Sequence, residues 1–258
     1  MTDPRKIPAG RVLALLDLTS LNAGDDLQST VDLCRRALTP YGEVAAVCVW
    51  PKLAHVARRT LNTLGGRGVK VASVCNFPAG NAPQADVTEE VRKTLAEGAD
   101  EIDLVYPWRR LKAGNPTGAV ELIRACKALC GPYHRLKVIL ETGELDDPEL
   151  IRMACREAIA GGADFLKTST GKASVNATPE AVRVMLECIE EDGGKVGLKV
   201  SGGLRTLADA LGYRALVEER FGAGWITPEH LRFGASSLLD DLLRELGVDA
   251  QPVSTRDY

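Results

Sequence analysis

Lys167, in Ala163-Asp-Phe-Leu-Lys-Thr-Ser-Thr-Gly-Lys172, and Lys199, in Val196-Gly-Leu-Lys-Val-Ser-Gly-Gly203, each stand near the carboxyl end of a short apolar segment, followed by small and hydroxyl-bearing residues. A lysine inside an apolar strand costs free energy unless it is paired or sheds its proton. Two at matching positions point to amine chemistry. A free lysine has a pKa near about 10.4, so at neutral pH only about one in a few thousand carries the unprotonated amine that attacks a carbonyl. A neighbouring ammonium and partial desolvation both disfavour the charged form, and together are expected to lower the pKa by roughly two to four units. One lysine of the pair then forms an imine with an aldehyde or ketone, while the other supplies the depressing charge and shuttles protons.

Further charges interrupt other apolar segments. In Glu101-Ile-Asp-Leu-Val-Tyr106, Glu101 and Asp103 share one face of a strand; in Leu136-Lys-Val-Ile-Leu-Glu141, Lys137 shares a face with Ile139 and Glu141; Asp17 stands near the end of the first segment. Alternation along a strand sends such residues to the same side. One buried pair of this kind reads as a structural ion pair. Three lysines and two aspartates converging on one end of the fold read as a site, with Asp103 as general acid/base and Lys137 holding it ionised or passing on a proton. The protonated imine is itself the electron sink, so the scheme calls for no metal and no cofactor. His55, His134 and His230 have no ligand-forming neighbours at suitable spacing, and Cys126 and Cys130 lack a second pair to complete a metal site.

Two glycine-rich turns suggest anion binding: Ser201-Gly-Gly-Leu-Arg-Thr206 and Gly234-Ala-Ser-Ser237, each ahead of a helical pattern. Free N–H groups at helix starts attract phosphate, and Thr170-Gly171-Lys172 adds a hydroxyl and a cation. These residues describe an imine-forming enzyme for a small phosphorylated carbonyl compound.

Positioning them requires a repeating scaffold. Strand-like runs occur at residues 12–19, 45–50, 69–75, 101–106, 136–141, 165–169, 196–201 and 231–235, with helical periodicity between them. Asp86, Asp147 and Thr178-Pro179 resemble helix starts, while Glu97-Gly98, Ala160-Gly161-Gly162 and Asp192-Gly193-Gly194 resemble stops. Eight alternations of strand and helix in 258 residues predict an α/β fold, a single-domain (β/α)8 barrel over 1–258 with a mobile tail at 247–258. An open doubly wound sheet would alternate as well, but Leu18-Thr-Ser-Leu-Asn22 stands where its Gly-x-Gly-x-x-Gly turn belongs.

The formal charge of -3 and the absence of basic runs exclude a nucleic-acid footprint. The first residues have no apolar leader-like core and the apolar runs are too short to span a bilayer, so a cytoplasmic protein without membrane contact is expected. Seven cysteines, scattered through helical and strand-like segments, read as reduced, buried small hydrophobes.

The chain resembles deoxyribose-phosphate aldolase, a class I aldolase family, at Leu16-Asp-Leu-Thr19, Asn76-Phe-Pro-x-Gly80, Gly98 to Asp103, Leu136 to Thr142, Phe165 to Lys172, Gly202-Gly-x-Arg-Thr206 and Arg232 to Ser237. The resemblance implies a Schiff base on Lys167, proton transfer by Asp103 and Lys199, and Lys137 in the same relay. It implies reversible cleavage of 2-deoxy-D-ribose 5-phosphate to D-glyceraldehyde 3-phosphate and acetaldehyde, in deoxyribose phosphate catabolism, by a homodimer. Phosphate would lie on Gly202, Gly203, Gly234, Ser236 and Ser237, and the terminal Tyr258 would reach the site. Asp17, Cys48, Thr170, Lys172 and Arg205 complete the expected substrate contacts. Val200-Ser201 replaces the Pro-Ala that follows this lysine in some relatives, which leaves the amine in place but alters the backbone beside it. Another Schiff-base aldolase acting on a ketose or keto acid, and a non-catalytic sugar-phosphate sensor, are the rival readings.

Overall fold

Eight parallel strands close into a barrel in the computed structural model, which describes residues 6–248: β1 (Leu16–Thr19), β2 (Ala46–Val49), β3 (Lys70–Cys75), β4 (Glu101–Val105), β5 (Arg135–Ile139), β6 (Phe165–Lys167), β7 (Gly197–Ser201) and β8 (Leu231–Ala235). Each strand pairs with its sequence neighbours and β8 pairs with β1, so the (β/α)8 expectation is met. The expected C-terminal segment falls, from residue 249 on, outside the described residues, and Tyr258 with it.

Apart from Lys70 and Arg135 at strand starts and the half-buried Thr19, the strand residues are buried, because helices cover the outer face. Leu18, Val47, Ile102, Leu104, Val138, Leu166, Leu198 and Phe233 belong to one continuous apolar core. Among the described residues no helix is long and apolar enough to cross a membrane. All seven cysteines are buried and unbridged, as their apolar settings suggest.

Local signals explain most boundaries. Asp147 caps the helix Pro148–Ala160 by accepting the Glu149 N–H, and Thr178 caps Pro179–Glu191 through the Ala181 N–H. Gly98 and Gly162 take positive φ just before β4 and β6, where only glycine turns the chain without strain.

Several expected boundaries need correction. Val12 and Leu13 belong to a helix, Lys6–Leu13, which packs on the last helix, Leu238–Leu246; its apolar residues are buried against helices rather than in a ladder. Asp86 lies in the first turn of Gln84–Ala96, whose cap position is Pro83. The segment 136–141 leaves the ladder after Ile139, because Glu141 adopts a left-handed conformation (φ 59°). The segment 165–169 likewise ends at Lys167. There the Thr168 hydroxyl replaces a ladder partner, donating to the Ser201 carbonyl and accepting the Ser201 N–H, both at 3.0 Å.

Candidate active site

Register decides which side chains meet. Asp103 pairs with Lys137, Lys167 with Lys199, and Lys199 with Arg232, so each pair points to the same side of adjacent strands. That side is the barrel interior, where Asp17, Asp103, Lys137 and Lys199 are fully buried.

Asp103 is the hub. Its Oδ1 accepts from Lys137 Nζ at 3.0 Å, and its Oδ2 accepts from both Lys167 and Lys199, each at 2.7 Å. Two amines on one oxygen lie no more than two hydrogen-bond lengths apart. Lys199 also lies 2.6 Å from Asp17 Oδ2, and Lys137 lies against Glu101 and 3.4 Å from Asp17.

These contacts separate the three lysines electrostatically. Burial pushes the Lys167 pKa down; the nearby Lys199 ammonium pushes the same way, and attraction to Asp103 recovers only part of it, so the net shift is downward. Burial also acts against the charge on Lys199, but Asp103 and Asp17 outweigh it and raise its pKa. Burial opposes the charge on Lys137 too, but Asp103, Glu101 and Asp17 together overcome it and raise its pKa. Asp103 remains an anion: its desolvation is overridden by Lys137, Lys167 and Lys199, which hold its carboxyl well below the usual range. The arrangement therefore holds one weakly basic amine beside an ammonium and a carboxylate.

Above this cluster, at the carboxyl ends of the strands, opens a cavity of about 430 Å³. This is the face on which barrel enzymes carry their sites. Lys167, Thr170, Lys172, Gly202, Gly203, Arg205, Gly234, Ser236 and Ser237 line it, so nine of the expected residues share one space. Lys167 lies at its floor. Asp103, Lys137 and Lys199 do not line the cavity; they lie beneath it, Asp103 in contact with Lys167 and Lys199 packed under Gly234, and Asp17 and Cys48 do not line it either, with the Cys48 thiol pushed up by burial.

The walls show why particular residues stand there. Gly202 and Gly203 both have φ of +86°, and a Cβ on Gly202 would meet Asn176 at 2.5 Å. Gly234 lies so close to the cluster that a Cβ would meet Lys199 Cε and Ser201 Cβ at 2.9 Å. Ser237 opens the helix Leu238–Leu246 with no side-chain cap of its own, which leaves N–H groups at the cavity edge. Lys172 donates to the Leu21 carbonyl at 2.9 Å and ties the loop after β6 to the loop after β1.

Sequence reasoning missed several participants. Ser20, Asn22 and Asn176 also line the cavity, and Asn176 Oδ1 is buried with no hydrogen-bond partner among the described residues. Polar loop residues carry no periodic signal. Arg232 was a missed signal of the detectable kind, a charge inside an apolar strand on the same face as Gly234. By contrast, Asn76-Phe-Pro-x-Gly80 serves architecture: Asn76 Nδ2 donates to the Val105 carbonyl, Asn76 Oδ1 accepts the Ala82 N–H, and a Cβ on Gly80 would meet the Tyr106 carbonyl at 2.6 Å.

Comparison with known proteins identifies the family. The family model for DeoC/LacD family aldolases matches residues 11–244. A crystal structure of a Toxoplasma gondii protein provisionally assigned as a deoxyribose-phosphate aldolase superposes with a TM-score of 0.87 at 26% identity, covering 96% of this chain and 99% of that one. A similarly assigned protein of Coccidioides immitis gives 0.76 at 28% identity, with coverage of 90% and 85%. The tetrameric deoxyribose phosphate aldolase of Aeropyrum pernix gives 0.73 at 24% identity, with coverage of 94% and 97%, a likeness of fold.

Proposed function

From the premise that this chain belongs to the DeoC/LacD aldolase family, and is therefore a carbon–carbon lyase, we propose that it cleaves 2-deoxy-D-ribose 5-phosphate reversibly through a Schiff base on Lys167. One observation carries the reading. Of the three clustered lysines, Lys167 is the one at the cavity floor and the one whose pKa is driven down.

In this scheme the neutral Lys167 amine attacks the aldehyde carbon of the open-chain sugar, and the resulting carbinolamine loses water to give a protonated imine. A base removes the proton of the hydroxyl two carbons from the imine carbon, the intervening carbon–carbon bond breaks, and its electron pair moves toward the imine nitrogen. Glyceraldehyde 3-phosphate departs. The remaining enamine takes a proton at carbon, and water hydrolyses the imine to release acetaldehyde. Asp103, bonded to both Lys167 and Lys199, is placed to exchange protons with either amine, and Lys137 keeps it ionised. Phosphate is assigned to the Gly202-Gly203 turn, the Gly234 to Ser237 turn, Lys172 and Arg205, which supply N–H donors and positive charge on one side of the cavity.

Borohydride reduction in the presence of substrate, followed by peptide mass mapping, tests the proposal directly. A reduced adduct on Lys167 supports it; an adduct on Lys172 or Lys199 reassigns the nucleophile. A competition assay with ketose phosphates and keto acids separates it from other Schiff-base aldolases, because those donors demand space beyond a two-carbon unit.

A further inference from the structure

Arg232 takes no part in the scheme above, yet it is locked beneath the cavity. Its Nη1 donates to Asp17 Oδ1 at 2.7 Å and to Glu101 Oε2 at 3.3 Å, its Nη2 donates to Glu101 Oε1 at 3.0 Å, and its Nε donates to the Pro228 carbonyl. The guanidinium faces the Phe165 ring 5.6 Å from its centroid, and the residue is 5% exposed. A guanidinium does not give up its proton in a protein, whereas a buried lysine can.

The charges of this interior can be counted. Arg232, Lys137, Lys167 and Lys199 face Asp17, Glu101 and Asp103, with β3 contributing no buried ionisable group, since Lys70 at its amino end is exposed. Two further groups face Lys167. Cys48 on β2 is a buried thiol, and Glu141 after β5 has both oxygens taken by the Thr170 N–H and hydroxyl. Within the ion-pair network itself four cations meet three carboxylates; Glu141, the fourth buried carboxylate, makes no ion pair with any of the lysines and acts on Lys167 only at longer range, so one cation of the network is short of a contact partner, a costly state that the loss of one lysine proton relieves. Lys137 touches three carboxylates and Lys199 two, while Lys167 touches Asp103 alone and shares the accepting oxygen. Lys167 is the least compensated.

We propose that Arg232 is a positioning residue for the reaction: by committing Asp17 and Glu101 to a charge that cannot be discharged, it leaves the cluster one proton short, and Lys167 is the amine that goes without. The proposal rests on the Schiff-base reading of Lys167. It makes Arg232, which does not line the cavity, a determinant of the pH at which imine formation begins.

The test measures borohydride trapping of acetaldehyde against pH, by intact-protein mass spectrometry, in the full-length wild type and in Arg232→Met and Glu101→Gln. For Arg232→Met the acid limb should move up by about one pH unit or more, which reads as roughly tenfold slower trapping on the limb with recovery at high pH. For Glu101→Gln, which deletes a negative charge, the limb should move the other way by a comparable amount. Equal loss of trapping at all pH values in Arg232→Met, or a limb that stays put, overturns the proposal. Should Arg232→Met fail to fold, Glu101→Gln decides: a lower limb supports the charge count and an unchanged or higher one overturns it. Wild type that traps no adduct at any pH removes the Schiff-base reading and this proposal together, whereas wild type that traps while neither variant shifts removes this proposal alone.

Discussion

The interior of the barrel has two unlike sectors. From β4 round to β1 the inward positions include Glu101, Asp103, Lys137, Lys167, Lys199, Arg232 and Asp17, all buried; on β2 and β3 the buried ones are Ala46, Cys48, Ala72 and Val74. Both sectors are made of short parallel strands with the same ladder, so backbone geometry does not distinguish them. What differs is how burial is compensated. The apolar sector is stabilised by removal of surface from water, a term indifferent to pH. The charged sector endures desolvation only because each group has partners, and its one imperfectly partnered amine is the one exposed to the cavity. Reactivity arises where compensation is incomplete.

Deleting that amine gives the widest contrast between sectors. Lys167→Ala should lower kcat/KM for deoxyribose 5-phosphate cleavage on the order of 10³-fold or more and abolish the borohydride adduct; cleavage at the wild-type rate would end the nucleophile assignment. Lys199→Leu should cost roughly 10²-fold at neutral pH, since Asp103 loses a proton-exchange partner. It also removes the ammonium that lowers the Lys167 pKa, so the acid limb of imine formation should rise. An unmoved limb would show that burial alone activates the amine. Leaving Asp17 and Asp103 short of a partner should further destabilise the fold by about 3–5 kcal/mol in urea titrations.

At the cavity wall, Arg205→Ala should raise KM for the phosphorylated sugar about tenfold with kcat preserved, and should leave cleavage of unphosphorylated deoxyribose unaffected. The smallest effect belongs to the apolar sector. Val74→Ala should lower stability by about 1–3 kcal/mol through the cavity it leaves, equally at pH 7 and pH 4, with kcat unchanged.

Acid sensitivity sharpens the same contrast. Asp17 and Asp103 have pKa values below the ordinary carboxylate range, so each binds a proton less readily folded than unfolded. Their contribution to stability is complete above an ordinary carboxylate pKa of about 4 and is lost as pH falls through their lowered values. Urea midpoints measured from pH 6 to pH 2 should fall steeply below pH 4 in wild type, and less steeply in Asp103→Asn, which has already given up one such group.

Residue order alone determined the barrel and the identity of the central cluster. Eight apolar runs separated by amphipathic helices with glycine stops admit few other closed folds, and Lys137, Lys167, Lys199, Asp17 and Asp103 stood out because a charge is costly in such a run. Strand ends were less legible, because Glu141 and Thr168 leave the ladder for conformational and hydrogen-bonding reasons that periodicity does not encode. Only the tertiary structure decided which lysine is the weak base. That choice depends on how many carboxylate oxygens each amine reaches across the barrel, and distances between β1, β4, β7 and β8 are set by closure of the sheet rather than by neighbours in the chain. Coulomb energy falls with separation in space, so the same three lysines, identical along the sequence in their apolar settings, become chemically unequal once the barrel closes.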